Sequence, residues 1–212
     1  MESRTSLPAG IYGITDDQLT PPEQLIEKVR AAIDGGISLL QYRSKATAPG
    51  PRRQQAEQLL QLCRSRQIPL IINDDVELCQ AIHADGVHLG RSDGNCAKAR
   101  EALGNQAIIG VTCHADIERA IDAERAGADY VAFGRFFPSE TKPDASAADP
   151  DILVQARQQL NVPIVAIGGI NAENGASLIA RGATMLAVVN SLFAGEDVSS
   201  NAQRLVNLFD EG

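Results

Sequence analysis

One unit recurs along this chain: an apolar, β-branched run, a polar or glycine-bearing turn, then an amphipathic helix pattern. The runs fall at 11–15, 39–43, 70–73, 86–89, 108–112, 130–134, 164–167 and 186–190. Helix patterns follow at 22–33, 52–66, 76–83, 96–103, 117–126, 150–160, 173–180 and 200–209. Glycine recurs after the helices, in "DGG", "LG", "AGA" and "RGA", as expected where a helix ends in a left-handed residue. Near-continuous apolar strands separated by helices imply a parallel sheet covered on its outer face. Eight such units in 212 residues predict a (β/α)8 barrel, an α/β fold, as a single domain over 1–212. An open doubly wound sheet more often carries a G-x-G-x-x-G turn after its first strand, whereas this chain has "GITDDQ" there.

Composition narrows the partners. The net charge is −8 and the pI near 4.9. That argues against nucleic acid or an anionic membrane held by bulk charge, though a phosphate needs only a few local cations or backbone N–H groups. Cys63, Cys79, Cys96 and Cys113 form no C-x-x-C pair and read as reduced residues of a cytoplasmic protein. No apolar run reaches the length of a membrane span, and the first residues lack a signal core.

Barrels of this kind place their chemistry at the C-terminal ends of the strands. The residues there are Thr15, Asp16 and Asp17; "QYRSK" with Gln41, Arg43 and Lys45 alternating; "NDD" with Asn73, Asp74 and Asp75; His88 and Asp93; Thr112 and His114; Arg135, Ser139, Thr141 and Lys142; Gly168-Gly169; and Asn190 with Ser191. Each has a plain structural reading. Asp74-x-x-Glu77 fits a helix capping box, Asp93 a cap, His88 a hydrogen-bonded core histidine, and the glycines close packing. The plain readings do not account for cations, carboxylates, hydroxyls and an amide collecting on one rim of an acidic chain.

The rim suggests two pockets. Gly168-Gly169, opening a helix, with the turn after the eighth strand, suits a phosphate cradle of backbone N–H groups. Arg43, Lys45, Asn73, Asp74, Asp93 and Lys142 suit a divalent metal with a polyphosphate, since Mg²⁺ takes one or two carboxylates and fills further positions with phosphate oxygens. No Ser-His-Asp arrangement or histidine-rich metal cluster is evident.

"QYRSK", "NDD", "GVHLGRSD", "GVTCH", "GRFFPSETK" and "AIGGI", in this order and spacing, closely resemble the thiamine phosphate synthase family from about Ile11 to Phe193. The resemblance implies a (β/α)8 transferase. Its reaction joins a hydroxymethylpyrimidine diphosphate to a thiazole phosphate, giving thiamine phosphate and pyrophosphate, with CO2 when the thiazole is carboxylated. It further implies that Gln41, Tyr42, Arg43, Ser44, Lys45, Asn73, Thr112 and Lys142 hold the pyrimidine diphosphate, with Lys142, Thr112 and Arg43 catalytic. Asp74 and Asp93 would bind Mg²⁺, and Ser139, Glu140, Thr141, Gly169, Val189 and Asn190 would hold the thiazole phosphate. Asp75 is then an exposed residue of the first helical turn. Thr112, Arg91, Asn190 and Arg135 stand where serine, glutamine, serine and proline are the commoner family residues. A thiazole tautomerase on the same barrel is the alternative, but it would not need Asp74, Asp93, Arg43, Lys45 and Lys142 together. A non-catalytic phosphate sensor is a further reading without a supporting motif.

Overall fold

The computed structural model describes residues 7–90, 95–138 and 148–210. Eight strands run parallel: β1 Gly10–Ile14, β2 Leu39–Tyr42, β3 Leu70–Asn73, β4 Gly86–Leu89, β5 Ile108–His114, β6 Tyr130–Phe133, β7 Ile164–Ile167 and β8 Met185–Val188. Each pairs with its neighbour in sequence, and β1 pairs with β8, closing the barrel. The outer layer is α1 Leu25–Asp34, α2 Pro49–Ser65, α3 Val76–Ile82, α4 Cys96–Leu103, α5 Ile117–Arg125, α6 Asp151–Gln159, α7 Ala176–Ile179, α8 Asn190–Phe193 and α9 Val198–Val206.

Strand alternation divides the core in two. Leu40, Ile72, Val87, Ile109 and Val131 face outward and pack beneath the helices with Val29, Leu59 and Leu153. Tyr12, Leu39, Ile71, Tyr130, Val165 and Met185 face inward and fill the barrel. Full burial of one such aliphatic side chain contributes about 1.5–3 kcal/mol. The inward parity, continued toward the C-terminal strand ends, reaches Gln41, Asn73, His88, Thr112, Ile167 and Val189 at the barrel mouth. At the opposite end carboxylates serve the backbone. Asp85 accepts the Leu70 N–H at 2.8 Å, and Asp129 accepts that of Ile109 at 2.8 Å while pairing with Arg100.

The helix ends follow the sequence signals. Gly36, Gly104, Gly127 and Gly182 all have positive φ after α1, α4, α5 and α7. Asp75, Asn95, Asp116 and Asp197 cap α3, α4, α5 and α9 through their side chains, and α2 opens on Pro49, where the missing N–H costs nothing.

Three expectations change. Asp75, not Asp74, caps α3: its φ of −102° suits the N-cap position and its carboxylate accepts the Leu78 N–H at 2.8 Å. Asp74 stands at φ +64°, a left-handed conformation that points its carboxylate away from the helix. The helix expected at 173–180 begins only at Ala176, because the Asn171 side-chain Oδ1 accepts from Glu173 N and Asn174 N. Such local side-chain bonds offer the backbone an alternative to helix. The eighth strand starts one residue earlier than expected and ends at Val188, and Asn190 opens the short helix α8 instead of a turn.

Candidate active site

A cavity of about 360 Å³ opens at the C-terminal end of the barrel, within the usual range for small-ligand sites. Gln41, Arg43, Asn73, His88 and Thr112 line it from β2 to β5, and Gly168, Gly169, Val189 and Asn190 from beyond β7 and β8. Residues far apart in sequence therefore meet in one chamber.

The first wall is polar. Gln41 Nε2 donates to the Tyr12 hydroxyl at 2.6 Å, and that hydroxyl lies 2.7 Å from the Tyr130 hydroxyl. Tyr130 lies 2.9 Å from His88 Nδ1, and His88 Nε2 lies 2.8 Å from the Thr112 hydroxyl. His88 is thus the hydrogen-bonded histidine its apolar strand suggested, with both ring nitrogens engaged. Burial pushes the Tyr12 and Tyr130 hydroxyls well above the usual phenol range, so both stay protonated.

The cations stand on an ordered loop after β2. Arg43 lines the cavity, its Nη1 3.6 Å from Asp16 Oδ2, and its backbone N–H donates to the Thr15 hydroxyl at 2.8 Å. Asp17 accepts three bonds from the same loop: Ser44 Oγ at 2.6 Å, Lys45 N at 2.8 Å and Ala46 N at 3.0 Å. Burial alone would raise the Asp17 carboxyl, but these donors and the Arg43 charge outweigh it and hold it below its ordinary value. Lys45 does not line the cavity. Its ammonium is exposed on the rim, 3.7 Å from Asp74 Oδ2. Tyr42 points the other way, donating its hydroxyl to Gln55 Oε1 at 2.6 Å under α2, so its side chain is not part of the chamber wall.

Asp74 stands beside the mouth. Asn73 Nδ2 donates to its Oδ2 at 2.6 Å, and Gly90 N to its Oδ1 at 3.3 Å. Next to it, Asp75 accepts from Arg52 Nη2 at 2.7 Å, so it is a structural ion-pair partner as well as a cap and not merely a surface charge. Among the described residues no three His, Cys, Asp or Glu side chains gather as a metal cluster. Asp74 is a hard oxygen donor at the rim, fitting a divalent cation. Its expected partner Asp93 lies outside the described residues, as do Arg91, Ser139, Glu140, Thr141 and Lys142.

The opposite wall is built from backbone. Gly168 and Gly169 have φ of +107° and +66°. A Cβ at Gly169 would lie 2.3 Å from the Pro138 carbonyl oxygen, so only glycine fits without a shift. Glycines and helix do not adjoin, since the turn formed by Asn171 and Asn174 separates them; Asn174 Nδ2 donates to the Gly169 carbonyl at 3.0 Å. Ser191 Oγ donates to the Ile170 carbonyl at 2.7 Å, tying the loop after β7 to the start of α8. Arg135 also lines the cavity, where the sequence left its reach open.

Sequence reasoning gave Tyr12 and Tyr130 no place in the site, and placed Asp17 on the rim without a role. The available signal was parity: both tyrosines sit at inward positions, and Gly110 opposite Tyr130 is an inward glycine inside a strand.

A closed parallel barrel with a polar chamber at its C-terminal mouth, faced by a glycine cradle, defines a phosphate-handling (β/α)8 enzyme. The family model described as thiamine monophosphate synthase matches residues 11–192. The chain is 49% identical over 191 residues to the thiamine-phosphate synthase of Alcanivorax borkumensis, covering 90% of this chain and 88% of that one. It is 49% identical over 193 residues to the corresponding protein of Nitrosococcus oceani, covering 91% and 89%. The solved structure of thiamine phosphate pyrophosphorylase from Pyrococcus furiosus superposes with a TM-score of 0.87 at 33% identity, over 97% of this chain and 96% of that one. The chain belongs to the thiamine monophosphate synthase family. Its activity is thiamine phosphate synthesis, a transferase reaction on small-molecule substrates.

Proposed function

We propose that the two walls of this one cavity divide the two substrates between them. The observation that carries the reading is their chemical contrast: side-chain amide, hydroxyl and guanidinium groups on β2 to β5, and bare glycine backbone beyond β7. The first wall suits an aminopyrimidine bearing a diphosphate. Gln41 would meet the ring, while Arg43, Asn73, Thr112 and Lys142 would meet the diphosphate. The second suits a thiazole phosphate held by Gly169, Val189 and Asn190, with Ser139, Glu140 and Thr141 from the loop before it.

Mg²⁺ would be held by Asp74 and Asp93, and when bound would neutralise charge on the diphosphate. The protein's own contribution is positional and electrostatic. Arg43 is held by Asp16 and Thr15, and Thr112 by His88, so both donors are oriented before the diphosphate leaves. As the C–O bond breaks, positive charge develops on the pyrimidine methylene carbon and the departing diphosphate stays on the cationic rim. The facing cradle keeps the thiazole nitrogen within reach of that carbon, and its capture forms the new C–N bond. The carboxylated thiazole phosphate fits the same scheme, losing CO2 after coupling.

No described helix is long and apolar enough to cross a membrane, and the net charge of −8 disfavours nucleic acid. We place the protein in the cytoplasm with its four reduced cysteines. Incubation with both substrates and Mg²⁺, followed by pyrophosphate detection with and without chelator, tests the whole reading. Thiazole isomerisation without pyrophosphate would identify a tautomerase instead.

A further inference from the structure

The hydrogen-bonded line across the barrel floor has a direction. Five polar side chains, from β2, β1, β6, β4 and β5, make four consecutive contacts: Gln41, Tyr12, Tyr130, His88 and Thr112. The inner members are closed off from solvent, Tyr12 at 1% and Tyr130 at 0% exposure. The two phenol rings meet edge to face, and His88 stacks on Tyr130. A Cβ at residue 110 would lie 2.0 Å from Tyr130 Cζ, so Gly110 makes room for the ring that carries the line.

Each phenol has one hydrogen, and a neutral imidazole has one N–H. Because Gln41 donates to Tyr12, the Tyr12 hydrogen is directed to Tyr130 and the Tyr130 hydrogen to His88 Nδ1. His88 then carries its proton on Nε2 and donates it to Thr112, whose own hydrogen points onward. If Gln41 turned its carbonyl to Tyr12, every bond would reverse. Gln41 would then show the cavity its amide hydrogens, and Thr112 only lone pairs. An unpaired buried hydroxyl costs about 1–3 kcal/mol, so mixed arrangements are disfavoured and the line adopts one polarity throughout.

The two ends of the line face the same cavity. In the polarity set by the Gln41 amide, Gln41 offers a carbonyl and Thr112 a hydrogen. An aminopyrimidine diphosphate needs both: its exocyclic amine donates, and its diphosphate oxygens accept. We propose that Tyr12, Tyr130 and His88 are positioning residues that lock this polarity, and so make the enzyme select a 4-aminopyrimidine over its 4-oxo counterpart. The proposal rests on the assignment of this wall to the pyrimidine diphosphate.

The test compares kcat/KM for the 4-amino and 4-oxo pyrimidine diphosphates, with saturating thiazole phosphate and Mg²⁺, in the parent, Tyr12→Phe and Tyr130→Phe. Each variant removes one hydroxyl and frees Gln41 to rotate. The amino-over-oxo ratio is expected to fall roughly tenfold, the worth of about one such hydrogen bond, with the thiazole phosphate KM unchanged. If both substrates lose activity equally and the ratio stays, the tyrosines only support the fold and the proposal is overturned. Gln41→Ala separates the two readings. If it changes neither the pyrimidine diphosphate KM nor the ratio, the pocket assignment itself fails. If it changes them while the phenylalanine variants leave the ratio alone, only the relay fails. A readout without any variant is the nitrogen-15 spectrum of the parent, which has His83, His88 and His114 as its histidines. A His88 proton on Nε2 is expected, and one on Nδ1 would overturn the proposal.

Discussion

The Asp17 carboxylate accepts the backbone N–H of Lys45 at 2.8 Å across the gap between the first two strand ends. With its bonds from Ser44 and Ala46, it fastens the loop that carries both rim cations. Asp17→Ala is expected to raise the KM for the pyrimidine diphosphate roughly tenfold, by the loss of a charge-assisted contact worth about 1.5–3 kcal/mol, with a smaller change for the thiazole phosphate. Steady-state kinetics check it. The sign of the acid dependence follows. Because the folded carboxyl is depressed below 3.8, the contribution is complete above that value and fades only as pH falls through the lower folded one. Loss of loop order already at pH 6 would contradict this.

Coupling should require a divalent cation, and Asp74→Asn should lower turnover about tenfold to a hundredfold. Asparagine tolerates the φ of +64° and still accepts the Asn73 amide, so the variant removes charge with little change of fold. Full activity in excess chelator, together with unimpaired Asp74→Asn, would remove the metal from the mechanism.

In the cradle, backbone should matter more than side chain. Asn190→Ser is expected to be nearly neutral. Gly169→Ala forces the Pro138 carbonyl aside, since even a methyl group arrives at 2.3 Å, and should raise the thiazole phosphate KM well above the parent's. Isothermal titration with thiazole phosphate, beside a thermal melt, reports both. A crippled Asn190→Ser with an unaffected Gly169→Ala would move the phosphate elsewhere, with Arg135 the first candidate.

Gly110→Ala should be a stability variant. The added methyl meets the Tyr130 ring inside the barrel, and overpacking of this kind typically costs about 1–3 kcal/mol. A melting temperature lower by a few degrees per kcal/mol is expected for a chain of this size. An unchanged melt would mean that Tyr130 can move without cost, which would also weaken the case for a fixed line through its hydroxyl.

The barrel was legible because the alternation of apolar run and helix pattern recurs eight times; parity grouped Gln41, Arg43 and Lys45 on one face, and Asn73 and Thr112 stood out by their place at strand ends. The cap of α3 was not. Asp74 and Asp75 are adjacent and chemically alike, and what separates them is a backbone angle that no side-chain pattern reports. The Tyr12–Tyr130 contact was hidden for another reason. Its partners are separated by 118 positions in sequence, and only the closed barrel's diameter and the gap left by Gly110 bring them together. The delayed start of α7 escaped because Asn171 and Asn174 settle the local hydrogen bonds in a way that propensity does not anticipate.

The left-handed backbone of Asp74 has an evolutionary consequence. Glycine would relieve the steric cost of about 1–2 kcal/mol at such a residue while losing a comparable amount to chain entropy. On backbone terms alone Asp74→Gly would therefore melt close to the parent, and any loss would come from the carboxylate's bonds to Asn73 Nδ2 and Gly90 N. Folding thus exerts a modest pressure to keep a carboxylate there, to which the proposed metal role adds that of chemistry. In a lineage supplied with thiamine phosphate from outside, position 74 would be free to drift early, long before the barrel eroded. An intact barrel with glycine at this position would record an abandoned reaction in a scaffold still under selection to fold.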